Sequence, residues 1–131
     1  MSEQNQVPIG TIGWIDLTAS NADEVRDFYQ AVVGWNVQEV PMGDYADYSM
    51  IPPGSEEAVA GICHKLGSND NLPSQWLMYI TVADVDESIK QCEAKGGKVV
   101  VPLRDMGAYG RFCVVQDPAG AVAGLMEPKM D

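Results

Sequence analysis

His64 is the only histidine of the chain, and Glu127 is a carboxylate near its end. Imidazole changes charge near neutrality, so His64 can transfer a proton or hydrogen-bond a bound molecule. A carboxylate beside it can act as a base, and burial would raise its proton affinity. Asp16 interrupts the apolar run Trp14-Ile15-Asp16-Leu17. A carboxylate there must find a donor, water or ligand, because an unpaired buried charge is costly. Trp14 and Tyr79 have rings that can stack on a flat ligand. Arg111 can clamp an anion or pair with surface acids, and the second is expected. Cys63, Cys92 and Cys113 lie in apolar segments, with no neighbour in sequence that would activate a thiolate, so no nucleophile is assigned. The sequence has no glycine-rich phosphate loop, CxxC pair or serine elbow.

These residues are positioned by a repeat. Ala58-Val59-Ala60-Gly61-Ile62 returns as Ala121-Val122-Ala123-Gly124-Leu125, an offset of 63 residues. The same offset carries Asn21 to Asp84, Glu24 to Glu87, Gly34 to Gly97, Met50 to Cys113, Thr18 to Thr81 and His64 to Glu127. Asn21 and Asp84, each with a glutamate three residues on, predict helix caps. Gly34 and Gly97 predict left-handed helix stops. Each copy therefore reads as strand, helix and three further strands. The strands are expected at about 11–19, 37–40, 45–51 and 59–66, then 76–82, 99–102, 111–116 and 122–127. The helices are expected at about 22–33 and 85–95, where Val25, Phe28, Tyr29 and Val32, then Val85, Ile89 and Cys92, recur at helical spacing. Residues 67–74 read as the loop that joins the copies.

A strand alternates its faces, so Ile15, Leu17 and Ala19 should meet the first helix while Trp14, Asp16 and Thr18 point away. Met78, Ile80 and Val82 should likewise meet the second helix, leaving Leu77, Tyr79 and Thr81 on the other side. Ile62, His64 and Leu66 share a row, as do Ala123, Leu125 and Glu127. The mixture of Trp14, Asp16, His64, Tyr79 and Glu127 is expected to line one concave, ligand-holding surface. Trp35, after the helix stop, is expected to pack beneath its module.

Composition narrows the partners. Eight Lys and Arg against 19 Asp and Glu give a formal net charge of −11, which repels phosphate backbones and argues against nucleic acid. No apolar run is long enough to span a membrane, and the polar residues 1–6 do not read as a secretory signal. An odd number of cysteines without a spacing pattern suits free thiols in a reducing compartment, so a cytoplasmic location is expected.

Trp14-Ile15-Asp16-Leu17, Phe28-Tyr29, Val33-Gly34-Trp35, Tyr79-Ile80-Thr81-Val82-Ala83-Asp84-Val85-Asp86, Gly96-Gly97-Lys98-Val99, Gly110-Arg111-Phe112 and Asp117-Pro118-Ala119-Gly120 together resemble the vicinal-oxygen-chelate superfamily. That is the fold of glyoxalase I, bleomycin-resistance proteins, fosfomycin-resistance enzymes and extradiol dioxygenases. The resemblance runs from about Ile9 to Glu127. It implies an α+β fold of two tandem β-α-β-β-β modules, about 9–66 and 76–127, forming a concave mixed sheet within one domain, 1–131. It also implies four positions for ligands to a divalent metal on the first and last strands of each copy, and these fall at Trp14, His64, Leu77 and Glu127. Trp14 and Leu77 cannot ligate. The expectation is therefore a small-molecule-binding protein without a metal or other cofactor, with Trp14, Asp16, His64, Tyr79 and Glu127 at the ligand. A metal-dependent lyase, isomerase or dioxygenase using His64 and Glu127, or a metal-free acid–base enzyme, stays open. The resemblance further implies a homodimer.

Overall fold

Strand alternation and helical spacing both carry over into the computed structural model, which describes residues 7–66 and 72–129. The polar stretch 1–6 and residues 67–71 of the expected joining loop lie outside the described residues. The chain divides into two units, Trp14–Trp76 and a second made of Met1–Gly13 with Leu77–Asp131.

The first unit is built from β1 (Ile12–Ala19), α1 (Ala22–Val33), β2 (Asn36–Pro41), β3 (Ala46–Ile51) and β4 (Ala60–His64). Its strands lie in the order β2-β3-β4-β1, with β4 parallel to β1 and the other pairs antiparallel. Apolar side chains on one face of this sheet meet α1. Ala22, Tyr48, Met50, Ala60 and Ile62 form the buried cluster, and Val25, Tyr29, Trp35, Val37 and Trp76 pack on it. Trp35 thus lies under its module as expected. Trp76 adds a hydrogen bond, its Nε1–H donating to the Tyr29 hydroxyl at 2.9 Å. Met50 and Ile62 are wholly buried, each contributing about 1.5–3 kcal/mol through loss of apolar surface from water.

The second unit holds β5 (Trp76–Thr81), α2 (Val85–Ala94), β6 (Lys98–Asp105), a single 3-10 turn (Gly107–Tyr109), β7 (Arg111–Gln116) and β8 (Val122–Glu127). Its order is β5-β8-β7-β6, with β8 parallel to β5. Leu77, Val85, Val101, Cys113 and Val114 are its buried apolar residues. The segment before β1 belongs here, because Gly10 N–H donates to Thr81 O and Thr81 N–H to Thr11 O, each at 2.8 Å.

Several expectations are corrected. Asp84 caps α2, accepting the N–H groups of Asp86 and Glu87, but Asn21 makes no side-chain cap to α1 and instead donates Nδ2–H to Glu24 at 3.3 Å. The left-handed residue after α2 is Gly96, at φ 94°, not Gly97. Gly97 is needed for a different reason, since a Cβ there would lie 2.7 Å from Gln116 O. Strand β6 runs through Pro102 to Asp105 rather than stopping at 102. It is the edge strand of its unit, where a missing N–H costs least, and its register shifts on both sides of Val101. Ile15 and Met78, expected under the helices, are 39% and 41% exposed.

Candidate functional site

Directly opposed residues in a ladder share a face, so the register assigns every side chain to one side of its sheet. In the first unit Leu17 faces Ile62 and Ile62 faces Tyr48, and this is the face packed on α1. Ala19 faces His64 on the same side. Asp16 faces Gly61, Gly61 faces Ser49, and Thr18 faces Cys63 on the opposite, open side.

The open side of the first unit brings Trp14 and Asp16 together. The indole Nε1–H donates to Asp16 Oδ2 at 3.2 Å. Both side chains lean over Gly61, where a Cβ would lie 3.3 Å from Trp14 Cζ2 and 3.4 Å from Asp16 Cβ. Cys63 stands one step along β4. Burial, then the charges of Asp16 and Asp47 and a hydrogen bond to Asp47, push its thiol far above the ordinary range. It is therefore a proton-holding thiol and not a nucleophile. Asp47 is only 7% exposed and accepts the backbone N–H of His64 at 2.8 Å.

His64 does not join Trp14 and Asp16. It lies on the α1 face, with Nε2 3.3 Å from Asp23 Oδ1 and Nδ1 3.3 Å from Asp47 Oδ1. Tyr48 also donates its hydroxyl to Asp23, and Arg26 stacks over the Tyr48 ring at 4.7 Å. The Tyr48 hydroxyl, then Arg26 and His64, hold the Asp23 carboxyl below its ordinary value. His64 is therefore one part of a polar clasp between strand ends and the first turn of α1.

Glu127 occupies the corresponding place in the second unit. It accepts the backbone N–H of Val85, the first residue of α2, at 2.9 Å, and Arg111 donates to it at 2.8 Å. Arg111 also reaches Asp86 at 3.1 Å, so its expected pairing with acids is observed. Arg111 and the Val85 N–H keep the Glu127 carboxyl below its ordinary value. Both residues line a cleft of about 310 Å³, but they enter it already paired with each other. The 63-residue offset maps one clasp on the other: Asp23 to Asp86, Tyr48 to Arg111, His64 to Glu127.

The expected single row of Trp14, Asp16, His64, Tyr79 and Glu127 is thus corrected. Trp14 and Asp16 lie on the open face of the first unit, and Tyr79, opposite Gly124, lies on that of the second. His64 and Glu127 face the helices. Strand parity carried the signal, because His64 is two residues from core Ile62 and must share its side. The positions missed were Asp47, Cys63 and the two glycines, Gly61 and Gly124.

This placement decides the fit to a metal. On the open faces the first and last strands of the two units offer one carboxylate, Asp16, and one protonated thiol, Cys63. A divalent catalytic site needs about three protein ligands. Among the described residues no group of three or more His, Cys, Asp and Glu side chains is placed to hold an ion. The donor set does not fit, and no chemical step is derived through a metal.

Residues 11–123 match the family model described as the Glyoxalase/Bleomycin resistance protein/Dioxygenase superfamily. A Mycobacterium tuberculosis protein named as a candidate glyoxylase, CFP32, is 31% identical over 128 residues, covering 97% of this chain and 49% of that protein. The anthracycline biosynthesis protein DnrV of Streptomyces peucetius is 28% identical over 134 residues, covering 90% of this chain and 49% of its own. The chain thus spans about half the length of these relatives. Among solved structures, methylmalonyl-CoA epimerase of Mycobacterium tuberculosis superposes with a TM-score of 0.52 at 16% identity, covering 97% of this chain and 95% of that one. The Streptomyces coelicolor epimerase, in complex with 2-nitronate-propionyl-CoA, gives 0.55 at 16% identity, covering 92% and 99%.

Proposed function

The chain belongs to the Glyoxalase/Bleomycin resistance protein/Dioxygenase superfamily, and from that premise we infer that it is a metal-free member that binds a small molecule on its open sheet faces. The observation that carries this reading is the pair Trp14–Asp16 lying over Gly61. A ring, a carboxylate and a residue without a side chain make a shelf that can take a ligand. A cationic or hydroxyl-bearing ligand suits it, because Asp16 and the net charge of −11 oppose an anion. That charge disfavours the phosphate-rich CoA esters bound by the structural neighbours. The relative named for anthracycline biosynthesis supports a polycyclic ligand carrying hydroxyl groups. Doxorubicin, a cationic hydroxylated polycycle, is a suitable probe. Its fluorescence should report saturable binding to the full chain, and Asp16→Asn should weaken that binding about ten-fold. Equal affinity in parent and variant would sink the reading. Plasma mass spectrometry of protein purified without chelator should find no stoichiometric zinc, nickel, iron or manganese, and one ion per chain would overturn the metal-free assignment.

A second reading is acid–base catalysis by Asp16, favoured by the hydrogen-bonded orientation that the Trp14 indole gives it. Turnover that survives a chelator and is lost in Asp16→Asn would establish it. The dimer belongs to the same proposal. The relatives are about twice as long as this chain, so a second copy would supply an equivalent length of protein. Sedimentation at twice the chain mass is the expected result. A cytoplasmic location is supported by three free cysteines. No described helix is long and apolar enough to cross a membrane.

A further inference from the structure

The open face of the second unit differs in kind from that of the first. Tyr79, Gly124 and Val114 are opposed across β5, β8 and β7, and Thr81, Met126 and Phe112 form the next row. None of these six is charged, in a chain with 19 acidic residues. The Tyr79 ring lies across Gly124 so closely that a Cβ would fall 2.3 Å from its Cδ2 and 2.5 Å from its Cε2. Phe112 stands 6.1 Å from the same ring at 64°, an edge-to-face arrangement. Val114, Thr81 and Gly124 are buried, and the accessible part of this face is supplied by Tyr79, Phe112 and Met126, which are half-buried.

We propose that this face is a platform for an uncharged, flat, unsaturated ring system, and that Gly124 sets its specificity by letting Tyr79 lie down on the sheet. The proposal rests on the reading that the open faces hold small molecules and names the ring class that this one takes. Charge complementarity selects the occupant: these rows carry no charged side chain to pair with a charged group, whereas the first unit has Asp16 on its open side. Any side chain at 124 would lift the Tyr79 ring and remove the flat surface.

The test is a titration of the full chain with 1,4-dihydroxyanthraquinone, followed by its visible absorbance. Saturable binding is expected. Tyr79→Leu should weaken it about ten-fold and Tyr79→Phe less than about two-fold, because the ring and not the hydroxyl makes the contact. Gly124→Ala should weaken binding about as much as Tyr79→Leu. The 2-sulfonate of the same probe should bind about ten-fold more weakly than the parent compound. Circular dichroism and the melting temperature of each variant separate lost binding from lost fold. Tyr79→Leu that folds and binds within two-fold of the parent overturns the proposal, as does equal affinity for the sulfonate. Loss of doxorubicin binding in Asp16→Asn together with unchanged anthraquinone binding in Tyr79→Leu leaves the first reading standing and removes this one. The reverse pair of results removes the first reading.

Discussion

The two units share a backbone plan and differ in what they do with it. In each, the last strand ends beside the first turn of the helix, and three positions related by one offset form the clasp there. In the first unit the clasp is Asp23, Tyr48 and His64, backed by the buried carboxylate of Asp47. In the second it is Asp86, Arg111 and Glu127, with a permanent cation and a helix N–H in place of the aromatic ring and imidazole. The open faces diverge as well, with Asp16 and Cys63 on one and Tyr79 and Met126 on the other. The two units keep the geometry of attachment and differ in the chemistry on both sides of the sheet.

The sharpest way to break the comparison is at the place where the offset pairs unlike residues. Asp47 corresponds to Gly110, which sits at φ 106°, where a Cβ would lie 2.1 Å from Glu127 O. Gly110→Ala should therefore cost about 3 kcal/mol from strain and backbone collision, read as a fall in the denaturant midpoint. An unchanged midpoint would mean that the turn relaxes freely. Ile62→Ala, which empties a wholly buried site in the first unit, should cost about 2–5 kcal/mol. A loss under about 1 kcal/mol would show that the first core is loosely packed.

The glycine pair comes next. Gly124→Ala should destabilise by about 1–3 kcal/mol through overpacking against Tyr79, while Gly61→Ala, whose nearest contact is 3.3 Å rather than 2.3 Å, should cost less. Equal effects would erase the distinction between the open faces. Cys113 is offset-related to Met50, and burial raises its thiol to about 11 from 9.0. The unfolded chain then ionises first, so stability is fully present below pH 9 and falls as pH rises toward about 11. Cys113→Val should flatten that alkaline decline in pH-dependent unfolding, and an unaltered slope would assign the decline elsewhere. The smallest effect concerns Arg111. Its pairing lowers the Glu127 proton affinity, so it adds stability above the ordinary glutamate range that is lost as pH falls through the lowered value. Arg111→Ala should raise the Glu127 titration midpoint in a carboxyl NMR titration, with little loss of stability because the pair is screened by solvent. A midpoint that does not move would mean that the Val85 N–H alone holds the carboxylate.

Much of the fold was legible because backbone signals are local. The offset, the Asp84 cap and the stop at Gly34 follow from residue types at fixed spacings. Asn21 does not cap because its amide donates to Glu24, and Pro102 lies inside a strand because that strand is an edge, a position that a linear sequence does not display. The site was less legible. Trp14, Asp16 and Tyr79 were assigned to open faces by alternation, but His64 and Glu127 were judged by their chemistry and not by their row. Gly61 and Gly124 were invisible as site residues, since the absence of a side chain matters only once a ring is seen lying over it.

The strand that opens the first unit has its leading residues, Ile12 and Gly13, in the second, and Thr81 takes its partners from Gly10 and Thr11 across about seventy residues. A single cut at the joining loop therefore does not yield two self-sufficient halves, whatever the repeat suggests. The downstream fragment would lack the backbone partners of Thr81, and closing so long a loop delays those bonds in folding. Rejoining the chain by circular permutation would need to keep residues 10–13 attached to the fragment that begins at Leu77.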